Sequence, residues 1–230
     1  MKKAALIVFL VLLADQVLKI WIKTHMTLGE EIHVMGNWFI LHFTENEGMA
    51  FGITFGGATG KLLLSIFRII AVIVIAIYIY RLRQKSTHPG LIVSFSLIMA
   101  GALGNIIDSA FYGMIFSESS FHTVASIFPR EGGYNSFLHG KVVDMLYFPV
   151  INSTWPQWMP LVGGEELLFF RPVFNIADSS ITTGVFMLLI FQKRFFAHHE
   201  EAKESDESAN SRTDENESSG NIPIRRTDEI

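Results

Sequence analysis

Four long apolar runs restrict what this chain can fold into more than any other feature of its sequence. They cover approximately residues 4–22, 62–80, 91–112 and 172–191. Because about 18 apolar residues in a helix cross roughly 30 Å of hydrocarbon, each run is long enough to span a membrane. Hydrophobic residues make up 50% of the chain and charged residues only 17%, a composition typical of membrane proteins. We therefore predict a membrane α-helical protein with four transmembrane helices.

The first run shares a positive start and an apolar centre with cleavable signal peptides, because it begins Met-Lys-Lys. It continues to Ile22, beyond the usual length of such a centre, and no small-x-small cleavage site closes it. We therefore expect this run to remain in the protein as a transmembrane helix.

Lysine and arginine residues predict the orientation of the helices, since short loops rich in these residues stay in the cytoplasm. Basic clusters precede the first run, follow the second and follow the fourth: Lys2 and Lys3; Arg81, Arg83 and Lys85; Lys193 and Arg194. Both ends of the membrane domain, residues 1–197, are therefore predicted to be cytoplasmic. Residues 23–61 and 113–171 are predicted to lie outside.

The first external segment contains two β-prone runs around a turn signal. Ile32–Val34 and Trp38–Phe43 are rich in β-branched and aromatic residues, and Gly36-Asn37 lies between them. This pattern predicts a small external β element, a hairpin or curved sheet on the membrane surface.

Residues 198–230 differ sharply in composition from the membrane domain. They contain ten acidic and four basic side chains, and Glu, Ser, Asp and Asn dominate without apolar periodicity. Such a segment cannot bury enough apolar surface to fold. We predict a disordered acidic tail in the cytoplasm that takes no part in the chemistry.

Ionisable residues inside apolar runs are energetically expensive, so each one is a candidate for a functional site. Asp15 and Lys19 lie four residues apart, which predicts an ion pair on one helix face. A structural pair that holds helices together is an equally good interpretation. Arg68 lies in the second run, with Asp15 or Asp108 as its candidate partners. Asn105 lies three residues before Asp108 and therefore shares its helix face.

Two further carboxylates lie in apolar surroundings near the predicted outer surface. Asp144 is embedded in the apolar run that begins at Val142, and Asp178 follows Pro172 by six residues, about 9 Å along a helix that begins at that proline. Two carboxylates held close together cannot both ionise cheaply, so one keeps a proton while the other remains a base. Such a pair can activate water for attack on a peptide carbonyl, as in an aspartic protease, without a metal ion.

Other hydrolytic chemistries find less support in the sequence. The chain has no Cys, its eight His residues are scattered without an HExxH pattern, and neither GxSxG nor SxxK occurs. Paired membrane carboxylates are nevertheless equally compatible with a proton or ion translocator. A translocator is expected to show broken helices or inverted repeats, and the sequence shows neither. A non-catalytic assembly factor, with buried charges that only pack helices, is the third hypothesis.

Several segments together resemble the bacterial lipoprotein signal peptidase family, also called signal peptidase II. They are DQVLK at 15–19, NEGMAFG at 46–52, GNIID at 104–108, GKVVDM at 140–145 and FNIADSSI at 174–181. Their order, their positions relative to the four runs and their coverage from Asp15 to Ser180 make the resemblance specific.

The resemblance implies roles for particular residues. Asp144 and Asp178 match the catalytic pair of an aspartic endopeptidase. The residues that match positions lining or supporting the site are Asn46, Gly48, Asn105, Asp108, Asn175, Ala177, Asp15 and Lys19. The family implies neither a metal ion nor another cofactor.

The resemblance also implies a substrate and a location. The implied substrate is a prolipoprotein whose lipobox Cys already carries diacylglycerol, and cleavage is expected just before that Cys. The site is expected near the outer face of the bacterial cytoplasmic (inner) membrane, in contact with membrane lipid. Inhibition by globomycin-type compounds is implied as well, and no nucleic-acid partner is expected.

The sequence departs from the family pattern in two ways. Ser109 follows the GNIID motif where the family usually has Arg, which leaves Arg68 and Lys141 as candidates to supply that cation. The two stretches that flank Asp144 are also longer than in the family. We expect external loops such as Phe116–Phe137 to cover or rim the site.

Overall fold

The computed structural model describes residues 2–48, 57–82, 88–149, 151–154, 157–158, 164, 166–169 and 172–195. Residues 49–52 of the NEGMAFG motif and the predicted tail at 198–230 lie outside these ranges. Within them, the chain forms four long helices, a three-stranded sheet and a two-stranded sheet.

The four long helices coincide with the four apolar runs. They are α1 (Lys2–His25), α2 (Gly57–Leu82), α3 (Pro89–Ile107) and α4 (residues 176–195). α3 continues through a π-helical turn at Asp108–Tyr112 and a last α-helical turn at Gly113–Ile115. In the described part of the chain, three stretches are long and apolar enough to cross a membrane: Lys2–His25, Thr59–Leu82 and Pro89–Ile115. The chain is therefore a helical membrane protein.

The distribution of side chains on the helices is that of a protein surrounded by lipid. Large apolar side chains point outward, among them Phe9, Phe67 and Ile190, while Asp15 and Lys19 are buried between helices. Apolar side chains lose nothing by facing hydrocarbon, whereas a charged group there must find a partner inside the protein. The helices therefore pack through their polar and small residues.

The external β element is larger than the sequence predicts. β1 (Glu31–Met35) and β2 (Phe39–Asn46) form the predicted hairpin, with Gly36 at a φ of 55° in its turn. β3 (Val142–Tyr147) adds to β2 and completes an antiparallel sheet in the order β1-β2-β3. Farther along the chain, β4 (Ile151–Thr154) and β5 (Glu166–Phe169) pair with each other.

A small apolar core fixes the three-stranded sheet to the C-terminal ends of α1 and α3. Its buried members are Ile22, Met26, Phe43, Tyr112, Phe116, Val143 and Met145. Because side chains alternate between the two faces of a strand, Asp144 points away from this core. The packing of two apolar neighbours thus determines the direction of the carboxylate.

α4 begins later than the sequence predicts. Phe174 forms an antiparallel bridge with Leu146 of β3, in which the Leu146 amide lies 2.7 Å from the Phe174 carbonyl oxygen. This pairing keeps the chain extended up to Asn175, whose Oδ1 then accepts a hydrogen bond from the Asp178 amide at 2.8 Å and caps the helix. Asp178 therefore lies in the first turn of α4. The prediction of a helix that starts at Pro172 was wrong.

Two glycines allow α3 to approach α1 and the first turn of α4. A Cβ atom at Gly101 would lie 2.1 Å from the Ala177 carbonyl oxygen, and one at Gly104 would lie 2.7 Å from Asp15 Oδ2. No larger residue fits at either position without moving a helix. The three helices therefore meet where Asp15 and Ala177 lie, next to β3.

Candidate active site

Asp144 lies on β3 and is held by two side-chain amides. Its Oδ1 accepts a hydrogen bond from Asn175 Nδ2 at 2.8 Å, and its Oδ2 accepts one from Asn46 Nδ2. Only 4% of the residue is exposed. Burial raises the pKa of the Asp144 carboxyl to about 7, and the negative charge of Asp178 acts in the same direction. Asp144 is thus suited to hold a proton near neutral pH.

Asp178 lies in the first turn of α4 and is half-buried. Its Oδ1 accepts a hydrogen bond from Asn105 Nδ2 at 2.8 Å. Asn105 and Asn175 also contact each other, since Asn175 Nδ2 lies 3.2 Å from Asn105 Oδ1. Two amide side chains from α3 and the start of α4 therefore join the two carboxylates. Among the described residues, neither carboxylate forms an ion pair.

A separate group of charges lies directly beneath this pair. Lys19 Nζ lies 2.9 Å from Asp15 Oδ2 and 2.7 Å from Asp108 Oδ2, and all three side chains are essentially inaccessible to solvent. Gln16 donates hydrogen bonds from Nε2 to Asp15 at 3.1 Å and to Asp108 at 2.9 Å. We call Asp15, Lys19 and Asp108 the ion triad. The predicted pair of Asp15 and Lys19 is confirmed, and Asp108 completes it.

The ion triad orients the groups that hold the two carboxylates. Lys19 Nζ also donates to Asn105 Oδ1 at 3.0 Å. Because an ammonium group can only donate, the Asn105 amide must turn its oxygen to Lys19 and its Nδ2 to Asp178. Asp15 Oδ1 accepts the Ala177 amide at 2.9 Å and so ties the first turn of α4 to α1. The triad thus positions Asp178 through two neighbours.

Gly48 and Arg68 complete the other side of the site. The Gly48 amide donates to Asn46 Oδ1, which leaves Nδ2 of Asn46 facing Asp144. Gly48 has a φ of 91°, a conformation that side chains disfavour, and its carbonyl oxygen accepts a hydrogen bond from Arg68 Nη2 at 2.6 Å. Neither of the candidate partners suggested for Arg68 pairs with it in the structure, because Asp15 and Asp108 both pair with Lys19.

The structure brings every predicted site residue into one hydrogen-bonded network. They are Asp15, Lys19, Asn46, Gly48, Asn105, Asp108, Asp144, Asn175, Ala177 and Asp178. Helices α1, α3 and α4 and strands β2 and β3 all contribute to it. The network contains two carboxylates linked by neutral amides, and the ion triad contacts it through the hydrogen bond from Lys19 to Asn105. Within the described chain, no group of three or more Asp, Glu or His side chains could hold a metal ion.

The structure distinguishes the two cations suggested for the position next to Asp108. Ser109 is buried, and its hydroxyl donates to the Asn105 carbonyl oxygen within the helix at 3.0 Å. Lys141 forms an exposed pair with Glu118 at 3.3 Å, away from the carboxylates. Arg68 is the candidate that lies at the site.

The sequence analysis missed a second buried ion pair, between Lys23 and Glu45. Ser119 contacts both partners, at 2.7 Å from Lys23 Nζ and 2.9 Å from Glu45 Oε1. Ser119 belongs to the loop Phe116–Phe137, which was expected to cover or rim the site. This part of the loop packs over Lys23 at the C-terminal end of α1. Lys23 lies four residues after Lys19 and therefore shares its helix face. That spacing could have indicated a second buried charge in α1.

Comparison with known proteins identifies the family. A family model described as signal peptidase (SPase) II matches residues 7–194. The chain belongs to the signal peptidase II family. The resemblance based on the sequence motifs is confirmed.

Individual signal peptidase II relatives extend over most of the chain. A lipoprotein signal peptidase of Porphyromonas gingivalis is 50% identical over 194 residues, which cover 84% of each chain. One of Amoebophilus asiaticus is 40% identical over 191 residues, which cover 82% of this chain and 76% of the relative.

Solved structures with the same fold are bacterial membrane enzymes determined by the in meso method. One has a TM-score of 0.54 at 27% identity and covers 84% of this chain and 89% of its own. A second has a TM-score of 0.52 at 28% identity and covers 83% and 92%. The similarity therefore extends over most of this chain.

Proposed function

We propose that this signal peptidase II family member is an aspartic endopeptidase that releases signal peptides from prolipoproteins. Its substrate is a prolipoprotein whose lipobox Cys carries diacylglycerol, and it cuts just before that Cys. The observation that carries this proposal is the arrangement of Asp144 and Asp178, which neutral amides join and which no cation neutralises in the described residues. Family membership supports a protease, and this arrangement supports the aspartic type.

In the first step, a water molecule between the two carboxyl groups attacks the scissile carbonyl carbon. Asp178, the more exposed carboxylate, takes a proton from the water. Asp144 carries a proton near neutral pH and donates it to the carbonyl oxygen as the tetrahedral intermediate forms. Each carboxyl group thus changes its protonation state by one proton, and no metal ion is required.

In the second step, the intermediate collapses and the C–N bond breaks. The leaving amine nitrogen takes the proton from Asp178, while Asp144 recovers a proton from a hydroxyl of the intermediate. Both groups then return to their starting states. Asn105 and Asn175 keep the carboxylates in position throughout, because their amide N–H groups donate to either protonation state of the pair.

We place the protein in the cytoplasmic (inner) membrane with four transmembrane helices and both ends of the membrane domain in the cytoplasm. α4 is then the fourth span. The basic residues after α2 and at the end of α4 support this orientation. The three-stranded sheet lies at the outer face in this arrangement, and Asp178 lies one helical turn below it. A lipid-modified Cys could reach this depth from the outer leaflet without leaving the bilayer.

The test is direct cleavage by the purified protein in detergent or nanodiscs. A lipobox peptide whose Cys carries diacylglycerol should be cut immediately before that Cys, while the same peptide without the lipid should be cut much more slowly. Globomycin should inhibit the reaction. Equal cleavage of both peptides would exclude the proposed substrate class, and no cleavage of either would exclude the function.

A further inference from the structure

Arg68 is a charged residue of α2 that the proposed mechanism does not use. Its Nη2 donates to the Gly48 carbonyl oxygen at 2.6 Å, so one arm of the guanidinium is fixed. Its Nη1 is buried and has no hydrogen-bond partner among the residues that the structure describes. A buried N–H donor without an acceptor is costly in any protein and more so within a membrane. A partner that arrives with the substrate would remove this cost.

The position of Arg68 connects it to the carboxylate pair. Gly48, which holds Nη2, is bonded through its amide to Asn46, and Asn46 donates to Asp144. A Cβ atom on Gly48 would lie 2.9 Å from Arg68 Nη1, so a glycine at this position lets the guanidinium pack directly against the main chain. Two residues, Gly48 and Asn46, thus link the guanidinium to Asp144. Nη1 therefore lies at the edge of the site.

The other acidic groups of the site already have partners. Lys19 pairs with both Asp15 and Asp108, and both oxygens of Asp144 accept amide hydrogen bonds. A peptide must be extended where a protease cuts it, and in that conformation its carbonyl oxygens lose their helical partners. In a membrane these oxygens find no water, so a fixed N–H donor beside the cut is a strong ligand for one of them.

We propose that Arg68 is a substrate-binding residue whose Nη1 donates a hydrogen bond to a main-chain carbonyl oxygen of the signal peptide next to the cleaved bond. Gly48 acts as its anchor, because its carbonyl oxygen sets the direction of the guanidinium. This inference rests on the proposed function and adds the chemical group that the site recognises in its substrate.

The test compares the cleavage kinetics of Arg68→Gln and Arg68→Lys with those of the wild type, using the diacylglyceryl lipobox peptide. Removal of a charged donor that acts on bound substrate and transition state alike should raise KM by about 10- to 100-fold and change kcat little. Arg68→Lys keeps a cationic donor but loses the two-armed guanidinium group. Its KM should lie between those of the wild type and Arg68→Gln. Arg81→Gln, an exposed arginine of the same helix, should leave both constants unchanged.

A binding measurement keeps the proposal testable apart from turnover. The Asp144→Asn variant is expected to bind the peptide without cleaving it. Its Kd for the peptide should rise, when Arg68→Lys is added, by the same factor by which Arg68→Lys alone raises KM. A lower kcat with unchanged KM, or a displaced pH profile, would show that Arg68 acts on the charge of Asp178, and the proposal would be wrong. Unchanged kinetics in both Arg68 variants would also overturn it. If the wild type fails to cleave the peptide, the proposed function itself fails, which is a distinguishable result.

Discussion

The molecule contains two neighbouring groups of buried carboxylates that differ in how their charge is balanced. In the ion triad, Asp15 and Asp108 share the ammonium group of Lys19 at 2.9 and 2.7 Å. Asp144 and Asp178, in contrast, receive hydrogen bonds from the neutral amides of Asn46, Asn175 and Asn105. Aspartate is therefore placed in two electrostatic environments, and Asn105 contacts both of them.

This difference separates a structural role from a reactive one. Two carboxylates that share a buried lysine hold the helices that carry them together. A carboxylate that is buried with only amide partners is poised to exchange one, which agrees with the raised pKa of Asp144. The carboxylate pair depends on the ion triad, since Lys19 orients Asn105 and Asp15 ties down the first turn of α4.

The largest expected effect is on catalysis. Asp144→Asn or Asp178→Asn should lower the rate of signal-peptide release by at least about 10²- to 10⁴-fold, because an amide can neither take nor donate the transferred proton. Expression and melting temperature should not fall below those of the wild type, since each change removes one of two mutually repelling carboxylates. Either variant cleaving at nearly the wild-type rate would exclude the aspartic assignment and revive the translocator hypothesis.

Substitutions in the ion triad should mainly lower stability, whereas those in the carboxylate pair should mainly lower catalysis. Lys19→Met leaves Asp15 and Asp108 buried without a cation, and breaking such a group costs about 3–5 kcal/mol. The melting temperature in detergent should fall steeply, and Asp15→Asn and Asp108→Asn should also lower stability at least as much as turnover. Lys141→Met is the matched control, because its pair with Glu118 is exposed and contributes about 1 kcal/mol or less. Equal melting temperatures for Lys19→Met and Lys141→Met would contradict a structural triad.

The pH dependence of stability should sharpen the comparison. The pKa of Asp144 is raised to about 7 from the ordinary value of 3.8. Between these values the folded protein holds a proton that the unfolded chain has lost, so stability falls as pH rises and levels off above about pH 7. This slope is at most about 1.4 kcal/mol per pH unit. Asp144→Asn should lack it, so the melting temperature of the wild type should drop relative to the variant between pH 5 and pH 8.

The smallest expected effect concerns residues that contribute to neither group of carboxylates. Deleting everything after His199 removes the predicted acidic tail and should leave the cleavage rate within about twofold of the wild type. The reason is that the tail is predicted to be unfolded and cytoplasmic, a full membrane thickness from the proposed site. A well-expressed truncation with much lower activity would show that the tail reaches the outer face, which the proposed orientation forbids.

Local patterns predicted many of the parts of this protein. Helix periodicity was sufficient to predict that Asp15 pairs with Lys19 and that Asn105 and Asp108 share a helix face. Residues three or four apart are neighbours on a helix. The turn signal at Gly36 was sufficient for the hairpin of β1 and β2. β3 was not predicted as a strand, since a short apolar run has no period that separates a strand from a buried helix.

The sequence by itself determined a helical membrane protein of the signal peptidase II family, because apolar run lengths and motif strings are local properties of the chain. Only the tertiary structure decided which charges meet. The bridge between Leu146 and Phe174 moves the start of α4 and brings Asn175 to Asp144, and Arg68 turns to the Gly48 carbonyl oxygen and not to a carboxylate. Such partners lie far apart in the chain, so the packing of the helices and strands selects them, and no local pattern encodes that choice.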